Sequence, residues 1–139
     1  MHNEPVAFAS LRAGDAVGPL RVTVSAGANE RYWQAAGVDH ESLRAGALYP
    51  PIAANLTVLA FGELCSDPVI QTRQRLVSHR RQAAGAELVT TGHVTNCYTK
   101  RGRAYVDITV TVTSADGPDD PLWTSEVSFT PTATLESAS

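Results

Sequence analysis

The second half of the chain is dominated by alternating apolar and polar residues, the pattern of a half-buried β-strand. The alternation is strictest between residues 104 and 113, where four β-branched side chains are predicted to face the core: Val106, Ile108, Val110 and Val112. Turn-forming residues at 100–103 and 116–121 separate this strand from its neighbours. Similar patterns predict four further strands, over residues 20–24, 72–81, 87–98 and 122–130.

A different pattern lies between residues 52 and 65, where apolar side chains occur on almost every side of a helical projection. The stretch is long enough for about four helical turns, and Pro51 suits the first helical position. A helix that is apolar all round has to be buried, so we predict a central helix enclosed by the rest of the domain. A shorter helix is predicted over residues 30–36, capped by Asn29 and ended by Gly37.

This order of elements predicts an α+β fold in which a curled antiparallel sheet is wrapped around one long central helix. We expect a single domain over residues 1–139, with loose termini at 1–14 and 132–139. One helix cannot cover a five-stranded sheet completely. The apolar face left over is therefore expected to pair with a second chain, which makes the protein at least a dimer.

Composition and charge narrow the classes of function. A chain of 139 residues that is 43% hydrophobic suits one globular domain, and a net charge of −3 gives no basic surplus for a nucleic-acid partner. No apolar run is long enough for a membrane span, and the first residues lack the features of a signal peptide. We expect a cytoplasmic protein with reduced thiols. Cys65 and Cys97 lack metal-site spacing, so we expect no metal and no cofactor.

Several motifs resemble, in the same order, those of the MaoC-like hot-dog family of enoyl-CoA hydratases and 3-hydroxyacyl-thioester dehydratases. They are Gly14-Asp15, Glu30–Gly37, Tyr49–Leu56, His79–Leu88 and Arg101–Gly117, and together they span about residues 14–131. The resemblance implies a hot-dog fold and a hydro-lyase acting on an acyl thioester of coenzyme A or a carrier protein. It also implies a homodimer, or a heterodimer with another hot-dog chain.

The family's catalytic signature is altered in this chain. The signature reads Gly-Asp-x-Asn-Pro-x-His, whereas residues 37–43 read Gly-Val-Asp-His-Glu-Ser-Leu. Aligned on the glycine, Val38 takes the place of the aspartate and Leu43 that of the histidine, while Asp39 and His40 are adjacent. Asp39 and His40 are the candidate catalytic pair, because hydration needs one group to activate water and another to protonate Cα. The alternative is a non-catalytic or half-active subunit of a heteromeric hot-dog dehydratase.

The chemistry of a thioester and the resemblance together select candidate substrate-binding residues. We expect backbone N–H groups of residues 52–55 to hold the thioester carbonyl as it gains enolate character. We expect the candidate side chains to line an acyl pocket or to contact coenzyme A phosphates. They are Tyr32, Tyr49, Ile52, Asn55, Arg80 and Arg81. Each candidate also has a structural alternative. The ring of Tyr32 would make core or dimer contacts, and a buried Asn55 would anchor neighbouring backbone. The arginines would form a charged sheet edge.

A third interpretation is an acyl-CoA thioesterase. Hot-dog thioesterases often carry a carboxylate on the central helix, and Glu63 is the residue of that type here. The alternative for Glu63 is a solvated position at the exposed end of the helix. His79 and His93 lie on predicted strands, where structural or surface roles are the simpler interpretation.

Overall fold

The computed structural model describes residues 4–37 and 46–132. Its elements follow the predicted order, after a short 3₁₀ turn at Phe8–Ser10. The strands and helices are β1 (Ala16–Thr23), α1 (Ala26–Ala35), α2 (Ile52–Leu64), β2 (Val69–Ser78), β3 (Glu87–Lys100), β4 (Arg103–Ser114) and β5 (Gly117–Pro131).

The strands form one antiparallel sheet of five strands in the order β1-β3-β4-β5-β2. The side chains of β4 predicted to face the core are all at most 2% exposed: Val106, Ile108, Val110 and Val112. Helix α2 packs on this inner face, where the rings of Phe61 and Phe129 stack with centroids 4.2 Å apart. The predicted α+β architecture, a sheet curled over one long helix, is confirmed.

The described residues cover helix α2 on one side only. Six of its side chains are buried against the sheet: Ile52, Ala53, Leu56, Thr57, Ala60 and Phe61. On the other side, Val58 is 41% and Leu59 57% exposed. The predicted enclosure within the domain is therefore wrong for that side, because a single sheet layer contacts one face of a helix. No helix in residues 4–37 and 46–132 is long and apolar enough to cross a membrane.

Helix α1 begins four residues earlier than predicted. Its N-cap is Ser25, whose Oγ accepts a hydrogen bond of 3.1 Å from the backbone N–H of Ala28. Asn29, predicted to be the cap, lies inside the helix and is only 2% exposed. Gly37 follows the helix with φ +70°, as expected of a glycine that ends a helix.

The expectation of a loose N-terminus is wrong for its described part, residues 4–14. Val6 forms a bridge with Cys65, and the backbone N–H of Phe8 donates to Asp67 Oδ2 at 2.8 Å. Phe8 and Leu11 are 5% and 2% exposed. This segment closes the end of the core beyond the last turn of α2, which explains why Phe8 and Leu11 are buried.

Two strands begin or end at residues other than those predicted from the sequence. β2 stops at Ser78, so Arg80 and Arg81 lie in the loop that follows it and not on the strand. β5 begins at Gly117 and continues through residues predicted to form a turn. Register shifts near Thr113 accommodate the prolines of this part of β5.

The stacked ring of Phe61 provides a test of the core. Phe61→Ala is expected to lower the free energy of unfolding by about 3–5 kcal/mol, because a fully buried ring is replaced by a cavity. Leu59→Ala on the exposed side of the same helix should change it by less than about 0.5 kcal/mol. Urea unfolding of both variants measures the difference, and equal losses would contradict this packing of α2.

Candidate functional site

The segment that leads into α2, residues 46–51, is the best-defined part of the candidate site, and we call it the pre-helix segment. The side chain of Asn29 binds it twice: Nδ2 donates to the carbonyl of Ala47, and Oδ1 accepts from the N–H of Tyr49, both at 2.8 Å. Nε1 of Trp33 donates to the same carbonyl of Ala47 at 2.9 Å. Helix α1 therefore fixes the path by which the chain approaches α2.

These two side chains act together because of their spacing. Residues four apart lie on one face of a helix, so Asn29 and Trp33 both reach the pre-helix segment. They are 2% and 7% exposed, and a buried amide needs hydrogen-bond partners of this kind. Sequence reasoning assigned Asn29 to a helix cap and missed this role. The signal that could have revealed it is an amide and an indole four residues apart in one helix.

Tyr32 and Tyr49, both predicted to bind substrate, are brought together at this site. Their rings stack with an interplanar angle of 8° and centroids 6.2 Å apart. Tyr49 also meets Trp33 edge to face at 5.0 Å. Tyr32 is 41% exposed, and Tyr49 is half-buried. The pair forms an aromatic surface that is accessible from one side and supported by the core from the other.

The other side of the pre-helix segment contacts the loop between β2 and β3. Ala47 forms an antiparallel bridge with Ala83, and the N–H of Leu48 donates to the carbonyl of Gln82 at 2.7 Å. This loop carries Arg80 and Arg81, so the predicted arginines are placed on a segment attached to the tyrosine-bearing one. Both arginines are exposed.

Arg80 pairs with a carboxylate in the described structure. Its Nη2 lies 3.4 Å from Asp120 Oδ1, and both side chains are 60% exposed. An ion pair this exposed contributes little to stability and can be exchanged for another anion. The guanidinium of Arg80 is therefore open to another anion from solvent, and Arg81 is likewise exposed.

The start of α2 does not offer the free donors that were expected. The N–H groups of Ile52, Ala53 and Ala54 donate to the carbonyls three residues before them, at 3.0, 3.1 and 3.1 Å. The prediction of free backbone donors is wrong for these three amides, because a tight first turn already satisfies them. The side chain of Ile52 is 3% exposed and belongs to the core.

Asn55 is exposed on the first turns of α2. The expectation that it is a buried amide is therefore wrong, because its position falls on the side of the helix that the sheet does not cover. Its part in substrate binding stays a prediction. Glu63, the thioesterase candidate, is exposed near the end of the same helix, as its alternative interpretation predicted.

The candidate catalytic pair, Asp39 and His40, lies outside the described residues, as do Val38 and Leu43. The described chain leaves α1 at Gly37 and resumes at Gly46, the first residue of the pre-helix segment. The connection that contains Asp39 and His40 therefore ends where Asn29 and Trp33 fix the backbone.

The groups whose pKa is raised, Cys65, Cys97 and Tyr98, lie away from this site. Burial, with a smaller contribution from the Asp107 carboxylate, raises the pKa of Tyr98, so that its hydroxyl stays protonated and donates to Asp107 Oδ1 at 3.2 Å. Burial likewise raises the pKa of the Cys65 thiol. Within residues 4–37 and 46–132, no group of three or more potential ligands among His, Cys, Asp and Glu could hold a metal ion.

Comparison with known proteins finds similarity in structure and none in sequence. No family model matches the sequence, and no curated protein matches it. A complex of 3R-hydroxyacyl-ACP dehydratase from Mycobacterium tuberculosis, HadBC with its C-terminus truncated, is similar with a TM-score of 0.69 at 18% identity over 87% of this chain and 97% of that chain.

Two further structures are similar over comparable lengths. An (R)-hydratase from A. caviae gives a TM-score of 0.71 at 16% identity, covering 86% of this chain and 96% of that chain. A MaoC-like dehydratase from Rhodospirillum rubrum gives a TM-score of 0.71 at 17% identity, covering 91% of this chain and 96% of that chain. The resemblance to the MaoC-like hot-dog family is confirmed at the level of the fold: the chain has a hot-dog fold.

Asn29 provides a test of how the pre-helix segment is held. Asn29→Ala is expected to lower the free energy of unfolding by about 1–3 kcal/mol, because the buried N–H of Tyr49 loses its partner. Amide hydrogen exchange at Tyr49 should accelerate. Gln34→Ala is the matched control on the same helix, since among the described residues that exposed side-chain amide bonds only to Glu30, at 3.3 Å. Unchanged exchange at Tyr49 in Asn29→Ala would contradict the anchoring role.

Proposed function

We propose that this chain is a hydratase or dehydratase of acyl thioesters. It would add water across the double bond of an enoyl thioester, or remove water from a 3-hydroxyacyl thioester. The observation that carries the proposal is the anchored pre-helix segment: Asn29 and Trp33 fix the end of the connection that contains Asp39 and His40. The hot-dog fold, common to the similar hydratases and dehydratases, supports the same reaction.

The chemistry assigns a role to each candidate. In hydration, one member of the Asp39–His40 pair accepts a proton from water as the oxygen bonds to C3 of the acyl chain. The electrons of the double bond move towards the carbonyl, and the other member delivers a proton to C2. The carbonyl oxygen needs a donor while it carries enolate charge. Since the N–H groups of residues 52–54 are engaged, the exposed side-chain amide of Asn55 is the donor we propose.

The remaining candidates would bind the rest of the substrate. Tyr32 and Tyr49 present an aromatic surface beside the start of α2, suited to the apolar acyl chain or the pantetheine arm. Arg80 and Arg81 lie on the loop attached to the same segment and would bind phosphate, which coenzyme A and a phosphopantetheine carrier both supply. Such substrates, and two unpaired cysteines, fit the cytoplasmic location that we expect.

A second candidate function is a subunit of a heteromeric dehydratase. The observation that favours it is the presence of Val38 and Leu43 at the positions of the signature aspartate and histidine. A second hot-dog chain would then supply the proton-transfer groups, and this chain would supply Tyr32, Tyr49 and the pocket. The similarity to the HadBC complex supports this arrangement of two different chains.

Turnover of enoyl-CoA substrates tests the first proposal. Purified protein is expected to consume crotonyl-CoA, or a longer or cyclic enoyl-CoA, with loss of the enoyl absorbance. His40→Ala and Asp39→Asn should each lower the rate by about 10²–10⁴-fold, the range for loss of a general acid or base. Glu41→Gln is the matched control in the same connection, and it should keep the wild-type rate.

The outcomes separate the candidate functions. Full activity in His40→Ala would remove His40 from the mechanism. A wild type inert on every substrate, but active when combined with another hot-dog chain encoded beside it, would support the heteromeric subunit instead. Release of free thiol from saturated acyl-CoA, lost in Glu63→Gln, would support the thioesterase interpretation and contradict both.

A further inference from the structure

The outer face of the sheet, the face away from α2, carries two neighbouring rows of polar side chains. On β4 these side chains alternate with the buried Val106, Ile108 and Val110, so they point away from the helix. The strand register defines each row across β2, β5 and β4. The first row is Arg73, Ser128 and Asp107, and the second is Arg75, Glu126 and Thr109. Each row therefore brings an arginine and a carboxylate together within the width of three strands.

A cavity of about 290 Å³ lies at these two rows, and we call it the outer cavity. Its volume is near the lower end of the range for sites that bind small molecules. The lining combines charged groups with hydroxyl groups, and it includes Arg73, Arg75, Asp107, Glu126, Thr109 and Ser128. The two arginines and two carboxylates together carry no net charge. The outer cavity therefore favours neither a simple anion nor a simple cation.

The charges around the outer cavity do not neutralise each other well. Arg73 has no ion pair within residues 4–37 and 46–132. Its row also contains Asp107, but β5 lies between the two residues, which separates their Cα atoms by about 10 Å. Arg75 Nη1 is 4.0 Å from Glu126 Oε2, with the two side chains 71% and 55% exposed. A pair this long and this exposed contributes little to stability, so a ligand can replace it.

The carboxylate of Asp107 is held in place by one of its two oxygens. Oδ1 accepts hydrogen bonds from Ser128 Oγ at 2.6 Å and from the Tyr98 hydroxyl at 3.2 Å. Ser128 is only 7% exposed, so the shorter of these bonds is largely shielded from water. In the part of the chain that the structure describes, Oδ2 accepts no hydrogen bond. A carboxylate oriented in this way has its second oxygen available to a donor from a ligand.

We propose that the outer cavity binds a small zwitterion, a molecule with a carboxylate or phosphate group at one end and a primary ammonium group at the other. The anionic end pairs with the guanidinium groups of Arg73 and Arg75, whose N–H donors match carboxylate and phosphate oxygens. The ammonium end donates to Asp107 Oδ2 and to the carboxylate of Glu126. The outer cavity and α2 are on opposite faces of the sheet, so this proposal does not depend on the proposed thioester chemistry.

Matched probes test whether both ends of the ligand are recognised. The zwitterions are γ-aminobutyrate and O-phosphoethanolamine. Butyrate and ethyl phosphate lack the ammonium group, and butylammonium lacks the anionic group. In NMR titrations of the wild type, followed at the backbone amides of Thr109 and Ser128, at least one zwitterion should give saturable shifts. Its Kd should be lower than that of every one-ended probe by about tenfold or more, because a one-ended probe leaves charged groups unpaired. The zwitterion with the lower Kd identifies the anionic group.

Three variants complete the test. Arg73→Gln, at an exposed position, should raise the Kd of the zwitterion by about tenfold or more and leave that of butylammonium unchanged. Asp107→Asn should also raise the Kd of the zwitterion, while its amide oxygen can still accept from Ser128 and Tyr98. Lys100→Gln removes a positive charge outside the outer cavity and should change no Kd.

Three results would each overturn the proposal. They are the absence of saturable shifts with every probe, an equal Kd for zwitterions and one-ended probes, and an unchanged Kd of the zwitterion in Arg73→Gln. Where Asp107→Asn does not fold, Arg73→Gln and the probe series still decide.

Discussion

The structure depends on the contact between one side of α2 and the inner face of the sheet. Phe61 and Ala60 on the helix pack in one cluster with Val110 and Phe129 on the strands, and all four are at most 1% exposed. Burial of this apolar surface is the main favourable term in the fold. It also determines which apolar side chains stay exposed, since Val58 and Leu59 point away from the sheet, where residues 4–37 and 46–132 form no second layer. Both the site and the exposed surfaces follow from this one-sided packing.

The candidate site uses that packing as a rigid support. Leu48 of the pre-helix segment packs in a second core cluster with Ile52 and Leu56 of α2, so apolar contacts attach the segment to the core. Asn29 and Trp33 also hold the segment by hydrogen bonds to the carbonyl of Ala47. These side chains are buried, so loss of the bonds would leave polar groups without partners and lower the free energy of unfolding. A connection that carries reactive groups is useful only if its ends are fixed, because small displacements of reacting groups cost rate. The buried polar contacts of α1 thus fix the position of Ala47 and Tyr49 in the pre-helix segment.

Sequence patterns predicted the elements well and their contacts poorly. The alternation through Val106 to Val112 specified a strand and its buried face, because a period of two has a single physical interpretation. The helix over residues 52–65 was located by the length of its apolar stretch and by Pro51 at its start. Ser25 and Asn29 are both good N-cap residues, so local propensity does not predict which of them begins α1. Ser25 is the cap because Asn29 lies inside the helix and bonds to the pre-helix segment. Asn55 was misjudged because an all-apolar helix gives no periodic signal for which side faces the sheet.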